Sequence, residues 1–188
     1  MLGRGVEAGC DEAGRGCLAG PVVAAVVVLP MAYYNPAIRD SKLLSPRQRF
    51  NLRQEIELRA LAWAVAAVAP RVVDALNVLQ ASLLAMQMAC DKLPLIPDLL
   101  LVDGNKPLPA YPYAQQCVIH GDANYINIAA ASILAKTHRD AIMERLDKTY
   151  PAYQWAKNKG YPTRAHKEAL LRLGPTPWHR MSFHPALP

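Results

Sequence analysis

The sequence predicts an α/β fold, a mixed central β-sheet flanked by helices, with a small helical segment at the C-terminal end. Three observations carry that expectation. Val22 to Leu29 is a β-branched and alanine run entered through Pro21, and a proline suits the first residue of a strand because it cannot donate to the ladder. Leu99-Leu100-Leu101-Val102 is a continuous apolar run, the pattern of a strand buried on both faces in a parallel sheet. Between them, Val72, Leu76, Leu79, Leu83, Met86 and Cys90 recur at helical spacing, which puts their side chains on one helix face.

The elements follow in order. Val6 to Cys10 reads as a first strand and Val22 to Leu29 as a second. A helix of unassigned bounds comes next, then a third strand from Leu61 to Val68. The striped helix spans Val72 to Lys92 and ends at the Pro94 and Pro97 breaks, because proline removes a helical donor and clashes with the preceding turn. The strand Leu99–Val102 leads through a loop rich in proline and tyrosine (Lys106 to Tyr113) to a short strand, Gln116 to Ile119. A second long helix covers Ile128 to Tyr150, and one further helix covers Thr163 to Leu173 in the C-terminal segment. At 188 residues, one domain spanning 1–188 is expected, with 151–188 packing on it.

Composition narrows the function classes. Hydrophobic residues make up 52% and charged residues 19%, a globular balance. No apolar run is long enough to span a membrane, and Met1-Leu2-Gly3-Arg4 lacks the apolar stretch of a signal peptide. A soluble, cytoplasmic monomer without membrane contact is therefore expected. Cys10, Cys17, Cys90 and Cys117 show no metal-type spacing, so reduced, structural thiols are expected. The net charge of +6 suits a polyanionic partner.

The stretch GCDEAGRGCLAG, residues 9–20, concentrates two adjacent acids and four glycines. A phosphate loop, a metal site and an acidic turn are the candidate readings. Nucleotide loops need their glycines to open a helix, whose N-terminus supports the phosphate; here a proline-led strand follows. Acids recur after other strands: Asp11 and Glu12 after the first, Asp103 after Leu99–Val102, and Asp122 after the short run ending at Ile119. Hard cations such as Mg²⁺ take oxygen ligands, and two of them clamp the attacking and leaving oxygens of a phosphodiester. Loops after strands also favour aspartate for turn reasons, so a metal site and a set of turns both stay open on the residues alone.

GCDEAGRGCLAGPVVAAVVV, DSKLLS (40–45), LLVDGN (100–105), GDANYINIAAASILAKTHRD (121–140), NKGYPT (158–163) and LGPTPWHRMSF (173–183) resemble, in order, the motifs of ribonuclease HII, the type 2 ribonuclease H family. The resemblance covers the chain from Val6 to Phe183. It implies a ribonuclease H-like fold and Mg²⁺- or Mn²⁺-dependent hydrolysis of the RNA strand of RNA/DNA hybrids, with two ions during catalysis. It also implies cleavage on the 5′ side of ribonucleotides embedded in duplex DNA, leaving a 3′-hydroxyl and a 5′-phosphate.

By motif, the resemblance assigns Asp11, Glu12, Asp103 and Asp122 to catalysis and metal binding. It assigns Gly14, Arg15 and Gly16 to the ribonucleotide and Tyr161 to the sugar just past it. Ser41, Lys42, Asn77, Asn105 and Lys136 are the expected phosphate contacts, which position a duplex without reading its sequence. Asp140 is expected to ion-pair rather than bind metal, and His166 to be structural. Many relatives carry a second lysine where this chain has Leu43. Gly-Arg-Gly fits type HII better than the Gly-Lys-Gly of the related HIII enzymes, whose N-terminal substrate-binding domain has no room before the first strand. A sliding-clamp partner is possible, and nothing in the sequence supports it.

Overall fold

The computed structural model describes residues 5–38, 41 and 44–184. Five strands, β1 (Glu7–Ala13), β2 (Val22–Val28), β3 (Ala62–Val68), β4 (Leu99–Asp103) and β5 (Gln115–Val118), form one sheet in the order β3-β2-β1-β4-β5. β1 pairs antiparallel with β2 and parallel with β4. β2 and β3 pair antiparallel, while β4 and β5 pair parallel, so the sheet is mixed as expected. The helices are α1 (Pro46–Arg59), α2 (Pro70–Leu76), α3 (Val78–Cys90), α4 (Gly121–Asn124), α5 (Ile126–Thr149), α6 (Trp155–Asn158) and α7 (Arg164–Leu173).

The two sheet faces are filled by different helices. Ala8, Cys10, Val26 and Val102 pack with Ala85, Met86 and Ala89 of α3 on one face. Ala25 and Val27 pack with Ile133 and Leu134 of α5, and with Leu52 and Ile56 of α1, on the other. Alternation along β1 therefore directs Gly9, Asp11 and Ala13 toward α5. Gly9 lets the helix approach closely: a Cβ there would lie 2.2 Å from the backbone carbon of Asn127. Asn127 fastens this approach by donating to the Glu7 carbonyl (3.0 Å) and accepting from the Leu29 amide (3.1 Å).

Two local expectations change, and one helix gains its bounds. β1 runs to Ala13 rather than ending at Cys10, so Asp11 and Glu12 lie inside the strand, paired with Ala25 and Ala24. The striped helix is broken at Asn77, which adopts φ +70° and caps α3 by accepting from the Leu79 and Gln80 amides. That break takes Leu76 out of phase with the α3 stripe and leaves it 42% exposed. The unbounded helix is α1, where Ser45 and Gln48 form a reciprocal capping box ahead of a face with only Leu52 and Ile56 buried.

The C-terminal segment has its own small core of Tyr153, Trp155, Ala169 and Leu170, reached by Ala19 and Met143. Two buried histidines organise it. His179 Nδ1 accepts from the Thr176 amide (2.9 Å), His166 Nε2 stands 3.1 Å from His179 Nε2, and His166 Nδ1 lies 2.9 Å from the Tyr161 carbonyl. These contacts fit neutral rings, with His179 donating to His166 and His166 donating to Tyr161. Burial lowers both, His179 to about 4; His166 is fully buried and bonded within this core, outside the acidic cleft.

Candidate active site

The parallel register of β1 and β4 builds the centre of the site. Cys10 pairs with Val102, so the next residues, Asp11 and Asp103, are neighbours across adjacent strands, which lie about 4.8 Å apart. Glu12 follows Asp11 on the same strand. The three acids line a cleft of about 330 Å³ together with Gly14, Arg15, Gly16, Ser41, Ser132, Lys136 and Tyr161.

Asp11 is buried, and its carboxylate accepts from the Glu12 amide at 2.6 Å. Burial pushes its carboxyl well above the usual carboxylate range, and the charges of Glu12 and Asp103 push the same way. A hydrogen bond from Ser132 on α5 opposes the rise. Burial also raises Glu12, opposed by the Arg15 guanidinium, whose Nη1 lies 3.1 Å from Glu12 Oε1. Carboxylates gathered at this cost are a hard-oxygen donor set whose repulsion a divalent cation relieves, so these residues fit Mg²⁺ or Mn²⁺ in donor chemistry. Asp122 is placed differently. It sits in the first turn of α4 and lines a second cleft with Tyr33, Asn35 and Tyr125. The Gly121 amide, next to Asp122, donates to Asp103 Oδ1 at 2.8 Å and ties the two acidic segments together. Among the described residues, no three acidic, histidine or cysteine side chains converge closely enough to clasp an ion.

The remaining predicted residues separate into two groups. Ser41 lines the cleft, buried, with its hydroxyl 3.0 Å from that of Ser132. Lys136 lines it too, and its Nζ is bonded to both carboxylate oxygens of Asp140 (2.5 and 2.8 Å); Asp140 is thus an ion-pairing residue, as expected. Asn77 and Asn105 are exposed and lie outside the cleft lining, Asn77 having committed its side-chain oxygen to capping α3. Lys42 and Leu43, with Asp40, lie outside the described residues.

Gly14 and Tyr161 meet over one buried side chain. Gly14 adopts φ +97°, and a Cβ there would lie 2.1 Å from Arg139 Nε. The Arg139 guanidinium stands 6.0 Å from the Tyr161 ring centroid. Tyr161 is 41% exposed and lines both the acidic cleft and a neighbouring groove with Arg49, Arg53, Lys157 and Lys159. Arg139 itself is fully buried and donates to the carbonyls of Pro21 (3.0 Å), Lys159 (2.8 Å) and Ala19 (3.0 Å). Ser132, Arg139 and Arg180 escaped the sequence reading as site residues. For Ser132 a signal existed: a hydroxyl in the otherwise apolar AASILAK run needs a buried polar partner.

The sequence model of the family described as Ribonuclease HII matches residues 8–186. A ribonuclease HII of Bacteroides thetaiotaomicron is 54% identical over 181 residues, covering 95% of this chain and 90% of that one. The crystal structure of the ribonuclease H2 from Pyrococcus horikoshii OT3 superposes with a TM-score of 0.80 at 26% identity, covering 96% of this chain and 95% of that one. The structure of the PCNA:RNase HII complex from Archaeoglobus fulgidus matches with a TM-score of 0.75 at 25% identity, covering 94% of each chain.

Proposed function

The chain belongs to the ribonuclease HII family and is a ribonuclease H endonuclease acting on RNA/DNA hybrids; from that premise we propose that it cuts 5′ of ribonucleotides embedded in duplex DNA. The products are a 3′-hydroxyl and a 5′-phosphate, and the role is ribonucleotide removal during DNA replication and repair in the cytoplasm. The observation that carries this reading is the one cleft shared by Asp11, Glu12 and Asp103 with Gly14, Arg15, Gly16 and Tyr161.

Asp11, Glu12, Asp103 and Asp122 would hold Mg²⁺ or Mn²⁺, which when bound supplies Lewis-acid polarisation of the phosphodiester and an activated water. The protein's own groups do the rest. Ser132 of α5 holds the Asp11 carboxylate in one orientation, and Ser41 holds the Ser132 hydroxyl in turn. Arg15, half exposed beside Glu12, brings positive charge to a site otherwise dominated by carboxylates. The backbone of Gly14-Arg15-Gly16 approaches the 2′-hydroxyl, the group that distinguishes RNA from DNA. Tyr161 places its ring against the deoxyribose past the ribonucleotide, where a second hydroxyl would crowd it.

Ser41, Lys42, Asn77, Asn105 and Lys136 are the proposed phosphate contacts, and the net charge of +6 makes duplex binding weaken with salt. Residues 1–188 act as one catalytic unit and as a monomer. Among the described residues no helix is long and apolar enough to cross a membrane. The PCNA contact is a property of the archaeal protein and is not carried to this chain.

The test is direct. A DNA duplex carrying one ribonucleotide is incubated with the protein and Mg²⁺ or Mn²⁺ beside a uniform RNA/DNA hybrid. Cleavage of both is expected, the first on the 5′ side of the ribonucleotide; no cut in that duplex under either metal overturns the proposal. Tyr161→Ala should reduce kcat/KM on the single-ribonucleotide duplex roughly tenfold more than on the hybrid, about 1.4 kcal/mol of barrier. Equal losses on the two substrates would remove Tyr161 from junction recognition.

A further inference from the structure

Beneath the Gly14-Arg15-Gly16 backbone lies a second fully buried arginine, Arg180, from the C-terminal segment. Its Nη1 donates to the Arg15 carbonyl at 2.9 Å, while Nε and Nη2 both donate to the Gly20 carbonyl, at 3.1 and 2.9 Å. One rigid guanidinium thus joins both ends of the loop 15–20. The loop is tied to the same segment by its backbone as well: the Arg180 amide donates to Leu18 (2.8 Å) and the Gly20 amide to Trp178 (2.8 Å). The guanidinium stands 5.3 Å from the Phe183 ring centroid. Burial lowers Arg180 to about 10, which leaves it charged at neutral pH.

The bond to Arg15 has a directional consequence. The Arg15–Gly16 peptide is trans, so its C=O and N–H point in opposite directions within one plane. With the carbonyl drawn onto a buried cation, the Gly16 N–H points away from that cation; Gly16 lines the cleft, and a Cβ on it would meet nothing within 4 Å, so the residue is open to a ligand. A charge-assisted bond to the carbonyl also polarises the peptide and strengthens that N–H as a donor.

We propose that Arg180 is a positioning residue for ribonucleotide recognition, fixing the Arg15–Gly16 peptide plane so that the Gly16 N–H is presented to the 2′-hydroxyl of the bound ribonucleotide. The proposal rests on the assignment of Gly14-Arg15-Gly16 to the ribonucleotide and adds the group that aims it. Lysine cannot replace Arg180, because an ammonium on a flexible stem lacks the planar fork that reaches Arg15 and Gly20 together.

The experiment compares wild type with Arg180→Lys on two ligands under the same metal: kcat/KM for the single-ribonucleotide duplex, and the inhibition constant of the same duplex made entirely of DNA. Arg180→Lys should lower kcat/KM about tenfold or more and leave DNA inhibition unchanged. In ¹⁵N-glycine-labelled protein, the Gly16 amide resonance should shift in the variant while those of Gly104 and Gly174 stay in place. Wild-type kcat/KM in a folded Arg180→Lys, or equal weakening toward both duplexes, overturns the proposal. A wild-type protein that binds all-DNA duplex as well as its substrate overturns the Gly14–Gly16 assignment itself, and this proposal with it. Should Arg180→Lys fail to fold, Phe183→Leu decides, since it loosens the guanidinium without removing it. A smaller loss in the same direction supports the proposal, and an unchanged kcat/KM overturns it.

Discussion

Asp11→Asn is expected to abolish cleavage of both the hybrid and the single-ribonucleotide duplex while making the metal-free protein more stable at neutral pH. The activity loss follows from removing the most buried of the three carboxylates that share the cleft. Losing several kcal/mol of charge stabilisation corresponds to a fall in kcat/KM on the order of 10³-fold or more. The stability gain follows from the sign of the Asp11 shift. Its carboxyl titrates above the usual range because burial, then Glu12 and Asp103, disfavour its charge. The folded state therefore binds a proton that the unfolded chain has already released. Stability must then fall as pH rises from the ordinary carboxylate pKa to the raised one, and the cost persists above that window.

Asparagine keeps the shape and cannot ionise, so the penalty disappears. A gain of about 1 kcal/mol would raise Tm by roughly 2–4 °C for a chain of this size. Added Mg²⁺ should stabilise the wild type by ligand linkage and stabilise Asp11→Asn less. Thermal melts between pH 4 and 8, with and without Mg²⁺, read these effects alongside the cleavage assay. Activity that survived Asp11→Asn or Asp103→Asn would sink the site assignment. Because the lowered histidines make the whole protein's Tm rise with pH over the same range, the difference between variant and wild type is the readout: a Tm gain in Asp11→Asn that did not grow with pH through this window would refute the electrostatic account.

Gly9→Ala is expected to be the most damaging single methyl in the sheet. Its Cβ would lie 2.2–2.3 Å from the backbone of Asn127 and Ile128, and a helix backbone cannot move aside as a side chain can. The strand and α5 would have to separate, at a cost of about 3 kcal/mol, the upper end for overpacked cores, or a fall in Tm of roughly 6–12 °C. Separation also draws Ser132 away from Asp11 and strains the Asn127 bonds to Glu7 and Leu29. Thermal melts and kcat/KM should therefore decline together; a variant with wild-type Tm would show that β1 and α5 are less tightly joined than their geometry implies.

Much of the site was legible because motif residues sit where β1 and β4 emerge side by side. Asp11 and Asp103 carried their own signal, acids at the ends of buried runs. The end of β1 was misjudged because an acid pair reads as a turn; those carboxylates are tolerated inside the strand because its end opens onto the cleft. The break at Asn77 was hidden by an apolar stripe that continues across it, and only the backbone, at φ +70°, interrupts the phase. α1 lacks a wide apolar stripe, and its clearest mark, the Ser45-Pro46 start with Gln48, lies at the cap.

The sequence by itself determined the strands with unbroken apolar runs, the family motifs, the acids and the glycine-rich loop, because each is written in contiguous residues with short-range physical meaning. Only the tertiary structure decided which acids face one cleft, that Ser132 supports Asp11, and that Arg139 and Arg180 hold the loop from beneath. The reason is separation along the chain. Arg180 reaches Arg15 across 165 positions and Arg139 reaches Pro21 across 118. Contacts of that span leave no periodicity or spacing in the sequence, and they exist only once burial has brought two distant backbones to a single guanidinium.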